Sequence, residues 1–87
     1  MKVFDKNYKF KIVKKPTEIM KILDCVGYCD FDKKEIYVLD NKDKEDTIVH
    51  EITHACLHTL AREDLAQDED MVNLITRIVL EIKRILK

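Results

Sequence analysis

The stretch TIVHEITHACLH, residues 47–58, carries the strongest signal in this chain, because it holds all three of its histidines. His50, Glu51 and His54 fit the pattern H-E-x-x-H. Residues four apart on a helix lie on one face, about 6 Å apart, so the two imidazoles can bind one ion. Glu51 lies about 100° further around the helix, where a general base beside a metal-bound water must be. The spacing therefore predicts a Zn²⁺ site on a helix.

A third protein ligand is needed, because two histidines do not hold a catalytic zinc ion. His58 lies two turns from His50, about 12 Å along the helix axis, which is too far for one ion. The glycine and third histidine of the metzincin pattern are also missing. What remains is an acidic side chain after the motif, and the candidates are Glu63, Asp64, Asp68, Glu69 and Asp70.

Bulk composition indicates a single folded domain, residues 1–87. The chain is 46% hydrophobic and 38% charged, which is typical of a globular protein and not of a disordered one. A domain of this length buries a modest core, so a bound metal ion would add to its stability. The net charge of −1 argues against a nucleic-acid partner.

Charge patterning also bears on location. Lysines interrupt the first 15 residues too often for a signal-peptide core, and no run of 18 apolar residues is present. We therefore expect a cytoplasmic protein with no membrane partner. The three cysteines, Cys25, Cys29 and Cys56, are an odd number, which favours reduced thiols.

Hydrophobic periodicity predicts the elements around the motif. Residues 8–15 alternate as a strand, a short helix begins at Pro16, and two β-rich runs joined by residues 32–34 form a hairpin. Asp43 is placed to cap the motif helix, which runs to about Leu60. The last helix has an apolar stripe predicted to be buried: Met71, Val72, Ile75, Ile78, Val79, Ile82, Ile85 and Leu86. The predicted class is α+β, a small antiparallel sheet packed on the motif helix and a long C-terminal helix.

The pair of motifs HEITH and EDMVN, residues 50–54 and 69–73, resembles the gluzincin metallopeptidases. More narrowly it resembles the minimal gluzincins (minigluzincins) and is similar to the ImmA/IrrE-like peptidases, whose second motif reads E-x-x-A-N. The resemblance covers residues 28–79. It implies a zincin-like fold, with His50, His54 and Glu69 as zinc ligands and Glu51 as general base. It further implies that EIYVL, residues 35–39, is an edge strand along the cleft that pairs with an extended substrate.

Two features depart from the gluzincin pattern or leave it open. Asn73 stands where thermolysin-type members have an aspartate, although its amide oxygen can still accept an imidazole N–H. The group that stabilises the oxyanion is not set by the sequence, and Tyr28, Tyr37 and His58 are alternatives.

The sequence thus predicts a zinc-dependent metallopeptidase that hydrolyses bonds in a peptide or protein substrate. The rival interpretation is a non-catalytic, zinc-stabilised protein-binding module, which gives Glu51 no purpose. A latent enzyme is a third, with the C-terminal KRILK, residues 83–87, as a cover for the cleft.

Overall fold

A computed structural model describes residues 1–87 as five short strands and four helices. In chain order these are β1 (Lys2–Val3), β2 (Lys6–Asn7), β3 (Lys9–Val13), α1 (Glu18–Leu23), β4 (Gly27–Asp30), β5 (Glu35–Leu39), α2 (Lys44–Thr59), α3 (Glu63–Ala66) and α4 (Glu69–Leu86). The predicted α+β class is therefore confirmed.

The main sheet has three strands in the order β3-β5-β4. β4 and β5 pair antiparallel, as the hairpin prediction required. β3 runs parallel to β5, with Lys9 opposite Glu35 and Val13 opposite Leu39. The prediction of an antiparallel sheet was therefore wrong for β3, because alternation of side chains fixes the faces of a strand but not its direction.

β5 is the central strand of this sheet, not an edge strand as the resemblance implied. Its Ile36 and Val38 side chains are completely buried. They form one core cluster with Val3 and Tyr8 around the N-terminal β1–β2 hairpin, and with Ala55 of α2. Both β4 and β5 contact α2, and of the two it is β4 that forms an edge of the sheet.

One helix start and one helix cap differ from their predictions. α1 begins after Thr17, whose side chain accepts a hydrogen bond from the Met20 N–H, so the helix starts two residues later than Pro16. α2 begins after Asp43, but the Asp43 side chain makes no capping hydrogen bond. The side chain of Asn41 instead accepts a hydrogen bond from the Asp43 N–H. At its other end α2 stops at Thr59, one residue from the prediction.

α4 packs antiparallel on α2. Glu69 at its start lies near His54, and Lys83 near its end lies 2.8 Å from a carboxylate oxygen of Glu45. The side chain of Asp68 caps α4 by accepting from the Met71 N–H.

The apolar stripe of α4 is buried over only part of its length. Val72 is fully buried, but Ile82 is 49% and Leu86 78% exposed. The prediction of a continuous buried stripe was wrong, because α4 has one long partner and its last turn extends past the first residues of α2. No helix of the protein has the length and apolar character needed to cross a bilayer.

Candidate metal centre

His50, His54 and Glu69 meet at one point between α2 and the first turn of α4. The Nε2 atoms of the two histidines lie 3.2 Å apart. Carboxylate oxygens of Glu69 lie 3.2 Å from His50 Nε2 and 3.1 Å from His54 Nε2. One ligand atom from each of the three residues falls within 4.8 Å of the others, so the group could hold a metal ion.

A backbone carbonyl fixes the orientation of the His54 imidazole, and burial favours the neutral form of His50. The Nδ1 atom of His54 lies 2.7 Å from the carbonyl oxygen of Ala66 in α3. A carbonyl only accepts, so Nδ1 carries the proton and Nε2 presents its lone pair to the other ligands. Burial, and then the charge of His54, lower the pKa of His50, while Glu69 and a hydrogen bond with Asn73 act in the opposite direction. The neutral imidazole, which is the form that binds metals, is therefore favoured at His50.

Glu51 lies beside these ligands without joining them. It is 7% exposed, and a buried glutamate with no ion-pair partner is unusual. Burial, and then the charge of Glu69, raise the pKa of Glu51 to about 7. Glu51 can therefore exchange a proton near neutral pH more readily than an exposed glutamate does.

Gly27, the only glycine of the chain, lets β4 lie close against Thr47 of α2, next to Glu51. A Cβ atom at this position would lie 2.5 Å from Thr47 Cγ2, 3.2 Å from the carbonyl oxygen of Tyr37 and 3.4 Å from Glu51 Cγ. The backbone of β4 thus approaches α2 more closely than any side chain would allow.

The other predicted ligand candidates are engaged elsewhere. His58 stacks on Phe31 with ring centroids 4.1 Å apart, and its Nδ1 atom contacts the carboxylate of Glu63. Asp64 pairs with Arg62 at 3.0 Å. Asp68 caps α4, as described above, and Asp70 is not part of the cluster. Of the acidic candidates, only Glu69 reaches both histidines.

A cleft of about 1130 Å³ opens in front of this cluster. Residues of α2 and α4 line one side of it, and the segment from Leu23 to Phe31, which includes β4, lines another. The last residue of α4 that lines the cleft is Leu80, so residues 83–87 do not cover it. The predicted C-terminal cover is therefore not found in this conformation.

The three candidates for the group that stabilises the oxyanion differ in whether they line the cleft. Tyr28 and Tyr37 stack on each other with centroids 4.8 Å apart, and the Tyr37 hydroxyl donates to Glu35 at 3.2 Å. His58 is held by Phe31 and is not among the residues that line the cleft. Of the three, only Tyr28 lines the cleft.

Three contributors were missed from the sequence: the Ala66 carbonyl, Gly27 and Arg77. Backbone acceptors such as the Ala66 carbonyl leave no sequence signal. Gly27 had a weak one, as the sole glycine. Arg77 follows Glu69 and Asn73 at intervals of four residues, which places all three near one face of α4, and it lines the cleft.

The cysteines are free and lie outside the ligand cluster. Burial, and then the charge of Glu51, raise the pKa of Cys29 to about 12. Cys29 therefore stays a protonated thiol at neutral pH, a form that does not compete as a thiolate ligand.

Comparisons with protein-family models, with curated proteins and with solved structures find no match to this chain.

Proposed function

We propose that the protein is a zinc-dependent peptidase of the zincin type, in which His50, His54 and Glu69 hold the ion and Glu51 acts as general base. The observation that carries this proposal is the convergence of two imidazole nitrogens and a carboxylate beside a buried glutamate at the floor of an open cleft.

The donor set fits zinc. Two histidines and one glutamate form a ligand set of catalytic zinc sites, which keep a fourth position open. Ligand atoms about 2.1 Å from a tetrahedral ion are about 3.4 Å from one another. The two imidazole Nε2 atoms lie 3.2 Å apart, close to this value. Glu69 approaches His50 through Oε2 at 3.2 Å and His54 through Oε1 at 3.1 Å, so its carboxylate faces both nitrogens.

A zinc ion held here supplies a Lewis acid that polarises a peptide carbonyl and makes a nearby water more acidic. The protein supplies the rest of the chemistry. Glu51 takes the proton of the attacking water and passes it to the nitrogen of the leaving amine. The Ala66 carbonyl keeps the His54 imidazole in place during this transfer.

The non-catalytic alternative uses the same three ligands to stabilise a small fold. It predicts a closed fourth position and no use for a buried base. The cleft that opens in front of the ligands and the burial of Glu51 favour the catalytic interpretation.

The decisive experiment compares wild type with Glu51→Gln at equal zinc occupancy over a broad peptide library. The substitution keeps the size of the side chain, so zinc content and fold should be retained while cleavage falls by about 10²–10⁴-fold. Glu45→Gln is the matched control, because Glu45 is an exposed glutamate of the same helix that does not line the cleft. Equal rates for wild type and Glu51→Gln, or no cleavage by zinc-loaded wild type, would contradict the proposal.

A further inference from the structure

Arg77 differs from the other two arginines of the chain in having no carboxylate partner. Arg62 lies 3.0 Å from a carboxylate oxygen of Asp64, and Arg84 pairs with Glu81 one turn earlier in α4. Arg77 makes no ion pair and lines the cleft. It is also the only lysine or arginine among the residues that line it. A guanidinium group binds carboxylates through a planar fork of donors, so an unpaired one in a cleft is a ready carboxylate site.

The position of Arg77 relates this site to the metal ligands. Glu69, Asn73 and Arg77 follow one another at intervals of four residues in α4, so they lie near one face of the helix. Arg77 is about 12 Å along the helix axis from Glu69. Helical side chains tilt toward the N-terminus, so the Arg77 side chain leans back toward Asn73 and the ligands.

None of the acidic residues that line the cleft forms an ion pair with Arg77. Glu51 and Glu69 are assigned to the base and the metal, and Asp24 and Asp46 form no ion pair with Arg77. Apart from Arg77, the lysine, arginine and carboxylate side chains that line the cleft are all acidic: Asp24, Asp46, Glu51 and Glu69. Arg77 therefore supplies the one cationic side chain that can attract a carboxylate away from the metal, and the acidic groups repel a carboxylate placed beside them.

We propose that Arg77 is a specificity-determining residue that binds a carboxylate of the peptide substrate, either an acidic side chain or the free C-terminus. An extended peptide advances about 3.3 Å per residue, so the 12 Å between Glu69 and Arg77 place this carboxylate within about four residues of the scissile bond. This inference rests on the proposed function, because it names the substrate class of the same cleft.

The test measures binding, so that it does not depend on turnover. Zinc-loaded Glu51→Gln protein is titrated into a library of fluorescent peptides, and the tightest binder is resynthesised in matched forms. In one arm each Glu or Asp near the centre is changed to its amide. In the other arm the free C-terminus is amidated, which distinguishes the two sources of the carboxylate.

Removal of the recognised carboxylate should weaken binding about fivefold to tenfold. Removal of the carboxylate should have no effect on binding to protein that also carries Arg77→Gln. Arg84→Gln is the matched control on the same helix, and protein with this substitution should still bind the carboxylate-bearing peptide more tightly. Arg77→Glu should prefer the peptide in which a lysine replaces the acidic residue.

Each outcome separates this inference from the proposed function. Carboxylate-dependent binding that needs Arg77, without cleavage by wild type, overturns the peptidase and keeps the role of Arg77. If wild type cleaves peptides but Arg77→Gln does not change the effect of removing the carboxylate on binding, the role of Arg77 is overturned and the peptidase is kept. The same conclusion follows if wild type cleaves peptides and removal of the carboxylate changes binding in neither protein. Binding of no peptide overturns both.

Discussion

The close approach of β4 to α2 at Gly27 can be tested with one methyl group. In Gly27→Ala the new Cβ would lie 2.5 Å from the Cγ2 atom of Thr47, a distance that such atoms do not tolerate. Either strand and helix move apart, or Thr47 rotates and loses the hydrogen bond from its hydroxyl to the Asp43 carbonyl. The Tyr37 carbonyl and Glu51 Cγ, at 3.2 and 3.4 Å, limit movement in the other directions. We therefore expect Gly27→Ala to destabilise the fold.

The expected size of this effect follows from two opposing contributions. Overpacking a tight contact costs about 1–3 kcal/mol. The backbone of Gly27 has no positive φ, so alanine is tolerated by the backbone and restricts the unfolded chain, which stabilises by about 0.4–1 kcal/mol. The difference between the two is a net loss centred on about 1.3 kcal/mol, which lowers the Tm of a domain of this size by roughly 5–10 °C.

Thr47→Ser supplies the rescue. It removes the clashing methyl group but keeps the hydroxyl that donates to the Asp43 carbonyl at 3.2 Å. On its own it should cost less than about 1 kcal/mol, the value of one buried CH₂ group. Thermal and urea unfolding of the two single variants and of the double variant complete a double-mutant cycle. Strictly additive losses, or a Gly27→Ala protein as stable as wild type, would refute the clash.

Further expectations concern the metal and the surface. Glu69→Ala should lower the zinc content measured by elemental analysis, whereas His58→Ala should leave it unchanged; the reverse result would contradict the ligand assignment. Removal of the metal by a chelator should lower Tm, because a ligand that binds only the native state, at 100 times its Kd, raises the free energy of unfolding by about 2.7 kcal/mol. An unchanged Tm after verified removal would exclude this stabilisation. Lys83→Gln should lower Tm only slightly at pH 7, because its partner Glu45 is exposed. The hydrogen bond from Lys83 lowers the pKa of Glu45. A group with a lowered pKa in the folded state stabilises the fold at pH values above its unfolded pKa, and this stabilisation is lost as the pH falls through the folded pKa. The difference in Tm between wild type and Lys83→Gln should therefore disappear in acid, and a difference that grows there would contradict this account.

Local chemistry made several elements predictable. The hairpin of β4 and β5 follows from two β-rich runs separated by charged residues. The start of α4 at Glu69 follows from a polar stretch ahead of a three-four apolar pattern. The meeting of His50 with His54 needed only a helix, because their spacing is a property of the helix itself.

Long-range features were not predictable in the same way. The direction of β3 depends on how the chain returns through α1 and β4, which alternation does not encode. The choice of Glu69 among five acidic candidates came from resemblance, since their positions depend on the short helix α3 and the caps around it. The exposure of Leu86 depends on where α2 begins relative to the end of α4.

The strand order β3-β5-β4 also has a consequence for aggregation. An unpaired strand edge is a template for another chain, and proteins protect such edges with charge. β3 forms one edge of the sheet, and its Lys9 and Lys11 are exposed. Lys11 already pairs with Glu35 of β5 at 3.3 Å, whereas Lys9 forms no ion pair. Two copies that met along this edge would bring the Lys9 charges together, so repulsion opposes the growth of a continuous intermolecular sheet. Replacing both lysines with threonine should remove that protection without touching the cleft.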